Sequence, residues 1–582
     1  MKSLRKALLV FLVILLILAI WIWWNRPQRV NMAAYVPADS LIYLEANNLP
    51  EIATSIVSTD AWKALAPAAG LRSNLGNLSW LSRLASWTGI GAAESVLLSR
   101  AQVAITVLGM DAADAGDTLR IKPRYALVVE THMGEGRARS AVENRLGEFA
   151  RRAYGTPSVE QKEVGGATYM TWVAPEGNRR IVAAVMGSVA FIGNDDAAVE
   201  ACLAVRRNER PSLEGNPQVE EMRRRVRGQD ALAFGYVQPE GMARLLEIAA
   251  TAYAGQLSSD PRAQSAAASI LPPIAKKILG GGGWSAHFSD GVIEDRYFLG
   301  LQNGVAERLL DTLAAQENPP IGAFGLLPRE VYSVSRYNYR DPVRAWRGVN
   351  AAIVSQADTL GSILITRLLD GTLKPYGIEQ PDSFLGAIGS EIVTARLDDS
   401  GASTVTIVQV RDETTLRNFV ARRLGVRPQR ETIGDAVLQI SNNEAHDASS
   451  FVDGYLIIGR DQNVRQCLEA RTSKETLALS DVFVRTTRHA PTTSANVVTL
   501  TDDHAPARVF MTRMAAQKGI SEGPLRDHEL EVALGRLSFA MSETQFVDGG
   551  FERRSRSSFG QFGALASQFA PANNDEAVAR SK

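Results

Sequence analysis

Two stretches, Asp290-Gly291-Val292-Ile293-Glu294-Asp295-Arg296 and Asp548-Gly549-Gly550-Phe551-Glu552-Arg553-Arg554, carry one pattern in two places. Each reads as an Asp-Gly turn that releases the chain into a strand. Working outward, more matches appear in the same order. The opening Tyr35-Val36-Pro37-Ala38-Asp39-Ser40-Leu41-Ile42-Tyr43-Leu44-Glu45 answers Leu326-Leu327-Pro328-Arg329-Glu330-Val331-Tyr332-Ser333-Val334-Ser335-Arg336. Gly89-Ile90 with Ser95-Val96-Leu97 answers Gly377-Ile378 with Ser383-Phe384-Leu385. A strand from Tyr125 to Glu130 and a helix ending Arg145-Leu146-Gly147 answer Val405 to Val410 and Arg423-Leu424-Gly425. Val189-Ala190-Phe191-Ile192-Gly193, with Asp196, Val199, Cys202 and Leu203, answers Tyr455 to Gly459 with Asp461, Val464, Cys467 and Leu468. Collinear matches of this kind mark an internal duplication.

The duplication predicts two homologous tandem domains, residues 33–312 and 320–565, divided at the breaker cluster Asn318-Pro319-Pro320-Ile321-Gly322. Short strands at Val159 to Val164, Thr168 to Val173, Ile181 to Met186 and Val189 to Gly193 read as an antiparallel meander, repeated more tersely from Glu431 to Gly459. Helices interrupt the strands without strict alternation. The expected fold class is therefore α+β, each domain building its own mainly antiparallel sheet with helices covering one side. Asp195, Asp196 and Asp461 stand at N-cap positions, and the cysteines follow on the inward faces of equivalent helices. Cys202 and Cys467 are the only thiols, and their equivalence predicts two buried, unpaired side chains. The tail 571–582 lacks apolar periodicity and reads as disordered.

Before the duplication, Ala7 to Trp24 is an unbroken apolar run of about 18 residues, or about 27 Å as a helix, enough to span a bilayer. Trp21, Trp23 and Trp24 suit the interfacial belt and offer no small-residue cleavage site, so the run reads as an uncleaved, single-pass signal anchor. Lys2, Arg5 and Lys6 in the n-region, residues 1–6, outweigh Arg26 and Arg29. That bias puts the N-terminus in the cytoplasm and the bulk of the chain outside it, in the periplasm of a Gram-negative cell.

The 582 residues carry 63 Lys plus Arg against 63 Asp plus Glu, so no global field points to nucleic acid. With 45% hydrophobic and 22% charged residues the chain is an ordinary globular one, neither disordered nor polytopic. The six histidines, His132, His287, His446, His489, His504 and His528, show no metal-ligand spacing. No Gly-x-Ser-x-Gly elbow occurs. Gly280-Gly281-Gly282-Gly283 lacks the Lys-Ser/Thr of a phosphate loop and reads as a flexible hairpin or linker. Arg223-Arg224-Arg225 with Arg227, and Arg422-Arg423 with Arg427 and Arg430, read as solvated, salt-bridged helix faces. Glu294 and Glu552 are the one recurring acid pair; they read as polar outward strand positions after an Asp-Gly turn, and acid–base work would require another carboxylate facing them across a cleft. No catalytic, cofactor-binding or metal-binding residue is assigned, and no cofactor is expected.

The apolar run followed by Val36-Pro37-Ala38-Asp39-Ser40 and the strand Leu41-Ile42-Tyr43-Leu44-Glu45 resembles a family of uncharacterised bacterial envelope proteins with a Leu-Pro-Ala-Asp-Thr type opening. The resemblance spans Tyr35 to Leu49 and implies an envelope location, with no site residue to carry over. Three functions follow as expectations. The first is a non-enzymatic, membrane-anchored extracytoplasmic protein that binds an envelope protein or lipid partner or helps organise the envelope. The second is a binding or carrier module for a lipid or other apolar ligand, which requires a continuous apolar cavity. The third is an envelope-polymer hydrolase using paired carboxylates.

Overall fold

A computed structural model describes residues 29–71, 101–114, 119–177, 179–257, 272–317, 322–356, 378, 380–444, 446–488, 495–516 and 524–569. The n-region, the apolar run Ala7 to Trp24, the Gly89 match with Ser95 to Leu97, Gly377, the Asn318 to Ile321 breaker, His489 and the tail 571–582 lie outside the described residues. Among the described residues no helix is long and apolar enough to cross a membrane.

The first half supplies β1 (Ile42–Ala46), β2 (Gln102–Asp114), β3 (Leu119–Glu130), β4 (Ser158–Val164), β5 (Ala167–Val173), β6 (Arg180–Met186), β7 (Val189–Gly193), β8 (Ala233–Val237), β9 (Leu279–Ser289) and β10 (Val292–Leu301). The second supplies β11 (Ser333–Asn338), β12 (Ile388–Arg396), β13 (Thr404–Val410), β14 (Gln429–Ile433), β15 (Ala436–Ile440), β16 (Asp447–Val452), β17 (Tyr455–Arg460), β18 (Val497–Thr501), β19 (Ala540–Val547) and β20 (Gly550–Ser557). Every pairing is antiparallel. In the first half the spatial order is β4-β5-β6-β7-β3-β2-β1-β8-β9-β10. In the second it is β14-β15-β16-β17-β13-β12-β11-β18-β19-β20, the same order shifted by ten.

The expectation of two separate α+β domains, each with its own sheet, is overturned. β10 pairs with β20 from Ile293↔Ser557 to Gly300↔Gly550, so the 20 strands form one continuous sheet. Both strands would otherwise end their halves with a row of unpaired N–H and C=O groups, and pairing them satisfies both edges at once. Arg296 lies opposite Arg554, its counterpart in the repeated pattern, so the joint is a pseudo-two-fold axis.

Helices cover both faces, which corrects the one-sided expectation. On the face that we call the inner face, helices Asp196–Arg206 and Pro217–Arg225 pack with Phe191, Cys202 and Phe234 in one half. Helix Asp461–Ser473 packs with Ile457 and Cys467 in the other. The opposite, outer face carries helices Glu135–Tyr154 and Glu413–Leu424. Near the joint the outer clusters mix the halves. Ile56, Trp62 and Leu65 pack with Phe510, Leu530 and Phe559, while Val305 and Leu309 pack with Ala345 and Ala352. Beside the joint the interior is thus shared between the halves, while each half also has clusters of its own.

Local signals are obeyed closely. The type I′ hairpin between β9 and β10 needs two residues at positive φ, and Asp290 and Gly291 supply 49° and 77°. Pro37 and Pro328 make the same isolated bridge, to Ser212 and Thr476. Asp195 caps its helix by accepting from Ala197 N at 3.1 Å, but Asp461 is the first residue of its helix and Arg460 takes the N-cap without a side-chain bond. The tetraglycine is not a linker. It lies within β9, paired on one side with Leu299 and Phe298 and on the other with Val237 and Tyr236.

Candidate functional site

The two carboxylates singled out by the repeat are not brought together. Glu294 lies opposite Arg556, and Glu552 opposite Phe298, four residues further along β10. That is about 14 Å along the strand, beyond the spacing of a working carboxylate pair. Glu294 is 2% exposed and bonds the guanidinia of Arg296 and Arg554. Burial opposes its ionisation, yet these two guanidinia hold its carboxyl below the usual range, which suits a structural anion rather than a proton donor. Glu552 is exposed.

The sheet does assemble a serine, a histidine and an acid that no local motif announces. Ser285 Oγ lies 3.0 Å from His287 Nε2, and Glu294 sits opposite His287 across β9 and β10. The arrangement is closed to chemistry. Ser285 is fully buried and its hydroxyl donates to the Val226 carbonyl. Burial and the Arg296 charge hold the imidazole below its ordinary pKa, while Arg296 and Arg554 occupy the Glu294 oxygens.

Two arginines leave the solvated role expected of them. Arg223 is 8% exposed, lies 4.2 Å over the Phe234 ring and bonds Glu45, whose other oxygen accepts from Tyr43 Oη at 2.6 Å. Arg423 donates to Asp447 at 2.8 Å, with both side chains largely covered. The first partner lies on β1 and the second on β16, so neither contact is visible from helical spacing. Arg224 keeps to the expected pattern with Glu221, whereas Arg225 shares that carboxylate and also donates to the Asp548 carbonyl at 2.9 Å across the joint.

Asp447 and Arg423 close one end of a cavity of about 660 Å³ on the outer face of the second half. Its floor is the sheet: Tyr337, Ile392, Val408 and Ile458 point up by strict strand alternation, with Thr394 paired to Thr406 between them. Its roof comes from three helices. Pro342–Val354 contributes Trp346 and Val349, Pro381–Ala387 contributes Phe384 and Leu385, and Glu413–Leu424 contributes Arg423. The wall is thus predominantly aliphatic and aromatic, with a threonine strip and one ionic end where the exposed Arg460 also stands. Volume and composition match those of sites that bury an organic ligand. A second cavity of about 690 Å³, in the first half, differs in kind: six charged side chains line it, Asp111, Arg124, Glu240, Arg244, Glu247 and Lys276, with Arg244 paired to Glu247 and Lys276 to Glu240.

The thiols and histidines add no site. Cys202 and Cys467 are free and fully buried, and burial pushes both thiols up to about 12. Among the described residues no group of three His, Cys, Asp or Glu is placed to hold a metal ion. Compared with known proteins, the chain matches no family model, no curated protein and no solved structure.

Proposed function

We propose that this protein is a non-enzymatic binding module, held at the bacterial inner membrane by the apolar run Ala7 to Trp24, and that the second-half cavity takes a single-chain amphiphile. The observation that carries this reading is the cavity of about 660 Å³ with an apolar wall and one ionic end. An acyl chain lies along Ile392, Val408, Ile458 and Phe384, where its methylenes leave water at roughly 0.8 kcal/mol each. Its anionic head meets the exposed Arg460, beside the Arg423–Asp447 pair and at the N-terminus of helix Asp461–Ser473, where the helix dipole also favours negative charge. The carboxylate arrangement supports no competing hydrolytic reading, because Glu294 is committed to arginines and Glu552 stands about 14 Å away along the strand.

The test uses full-length protein in lipid nanodiscs, titrated with a fluorescent palmitate analogue against empty nanodiscs. Saturable binding of one probe per chain is expected, weakened by Leu385→Trp, whose indole narrows the cavity, and by Arg460→Met. Binding that survives Leu385→Trp unchanged refutes the assignment.

A further inference from the structure

The continuous sheet ends in two outer strands, β4 and β14, and these edges are not equivalent. β4 runs seven residues, Ser158-Val159-Glu160-Gln161-Lys162-Glu163-Val164, every one exposed. It pairs with β5 from Ser158↔Val173 to Val164↔Ala167 without a register shift, and no described strand lies on its other side. Natural edges are blunted by bulges, prolines or shortness, and β4 has none of these. Val159 and Val164 are 61% and 50% exposed on it. Its remaining protection is charge, and that charge is arranged to match itself.

Strand alternation and the β5 register set Ser158, Glu160, Lys162 and Val164 on the inner face, where Lys162 lies 5.7 Å over the Tyr169 ring. Glu163 faces outward, toward Arg139 of helix Glu135–Tyr154 at 3.9 Å. When the strand is turned antiparallel about Gln161 and laid on its own copy, Glu160 faces Lys162 of the second copy and Lys162 faces Glu160. Both inner-face charges then meet their opposites, the arrangement that stabilises cross-strand pairs. β14 offers no such match. It has only five residues, and its Glu431 is already held bidentately by Arg465.

We propose that β4 is a homodimerisation edge, at which two copies of this chain join their sheets antiparallel about Gln161. Such an interface is isologous, since one patch serves both partners and the assembly closes at two. It adds backbone hydrogen bonds along seven residues, with the charge pattern selecting the register.

The experiment exploits the burial of both native thiols, which leaves an introduced cysteine as the accessible one. Full-length Gln161→Cys protein in detergent micelles is oxidised mildly beside Ser158→Cys. Residues meeting at the two-fold lie about 4.5 to 5.5 Å apart, within disulfide range, whereas Ser158 would face Val164 of the second copy. A crosslinked dimer is expected for Gln161→Cys and none for Ser158→Cys. In parallel, light scattering at up to about 100 µM reads assembly, since any dimer with a Kd tighter than this is then populated. Glu160→Lys and Lys162→Glu should each be monomeric, and their equimolar mixture should dimerise, because only then does each inner-face charge meet its opposite. Equal crosslinking at both positions, dimers in either single variant, a monomeric native chain, or assemblies growing beyond two would each overturn the proposal.

Discussion

Raising the pH should loosen the C-terminal helix Gly560–Phe569, because two buried carboxyls hold its start and both resist ionisation. Asp295 accepts from Trp284 Nε1 at 2.9 Å and from Gln561 N at 3.0 Å, while Asp503 accepts from Ser558 N at 2.7 Å. They are 2% and 6% exposed, and burial pushes each from 3.8 up to about 6. Glu294 adds to the rise at Asp295, and Asp502 to that at Asp503, where His504 opposes it. Since the folded pKa lies above the unfolded one, the stabilisation is complete below about pH 4 and is lost as the pH rises through 6. A shift of about two units corresponds to about 3 kcal/mol per carboxyl, an upper bound for each. Between about pH 4 and 6 the opening constant of this segment should rise about tenfold per pH unit for each group, hence up to about a hundredfold per unit for both, and level off above pH 6. Amide hydrogen exchange of residues 558–569, corrected for its intrinsic pH dependence, reads that constant directly. Asp295→Asn keeps the shape and one of the two accepting oxygens but removes one titration, so it should halve the logarithmic slope. Protection that is flat in the native chain between pH 4 and 6, or that falls on acidification, would refute the reasoning.

Three further outcomes are expected. Arg223→Met leaves Glu45 buried without its cation and should destabilise by about 3–5 kcal/mol, with much of the loss recovered in the Arg223→Met/Glu45→Leu double variant; thermal melts compare the three proteins. A Cβ at Gly550 would collide with the Leu299 carbonyl on β10, so Gly550→Ala should cost about 1–3 kcal/mol. Hydrogen exchange should localise that loss to Ile293–Gly300 and Gly550–Ser557, and uniform loosening would contradict a joint at this pairing. With both thiols at about 12, only about one part in ten thousand is thiolate at pH 8. Maleimide should therefore leave the native protein unmodified and label two cysteines in denaturant.

The strands of the meander were legible because their signal is local. The expected Val159 to Val164, Thr168 to Val173, Ile181 to Met186 and Val189 to Gly193 lie within one residue of β4 to β7. Turn chemistry such as Asp290-Gly291 and the inward sides of the two cysteine helices were readable for the same reason. The tetraglycine misled because glycine ordinarily weakens a strand. Here close neighbours explain it: a Cβ at Gly282 would strike Met242, and one at Gly283 would press Val226 and Met222. The cavity was invisible in advance. It requires Ile392, Val408 and Ile458 from three strands to lie under Trp346 and Phe384, and no spacing in one segment encodes that convergence.

By itself, then, the order of residues determined where strands and turns fall, that their succession is repeated, and which helix faces turn inward, since each depends on neighbours a few positions apart. Tertiary structure alone decided that β10 and β20 join the repeats into one sheet, that Arg223 and Arg423 are drawn inside to Glu45 and Asp447, and that the two halves enclose different cavities. Those outcomes turn on edge pairing and on charges meeting across 178 residues at Glu45 and Arg223, where burial rather than sequence proximity sets the energy.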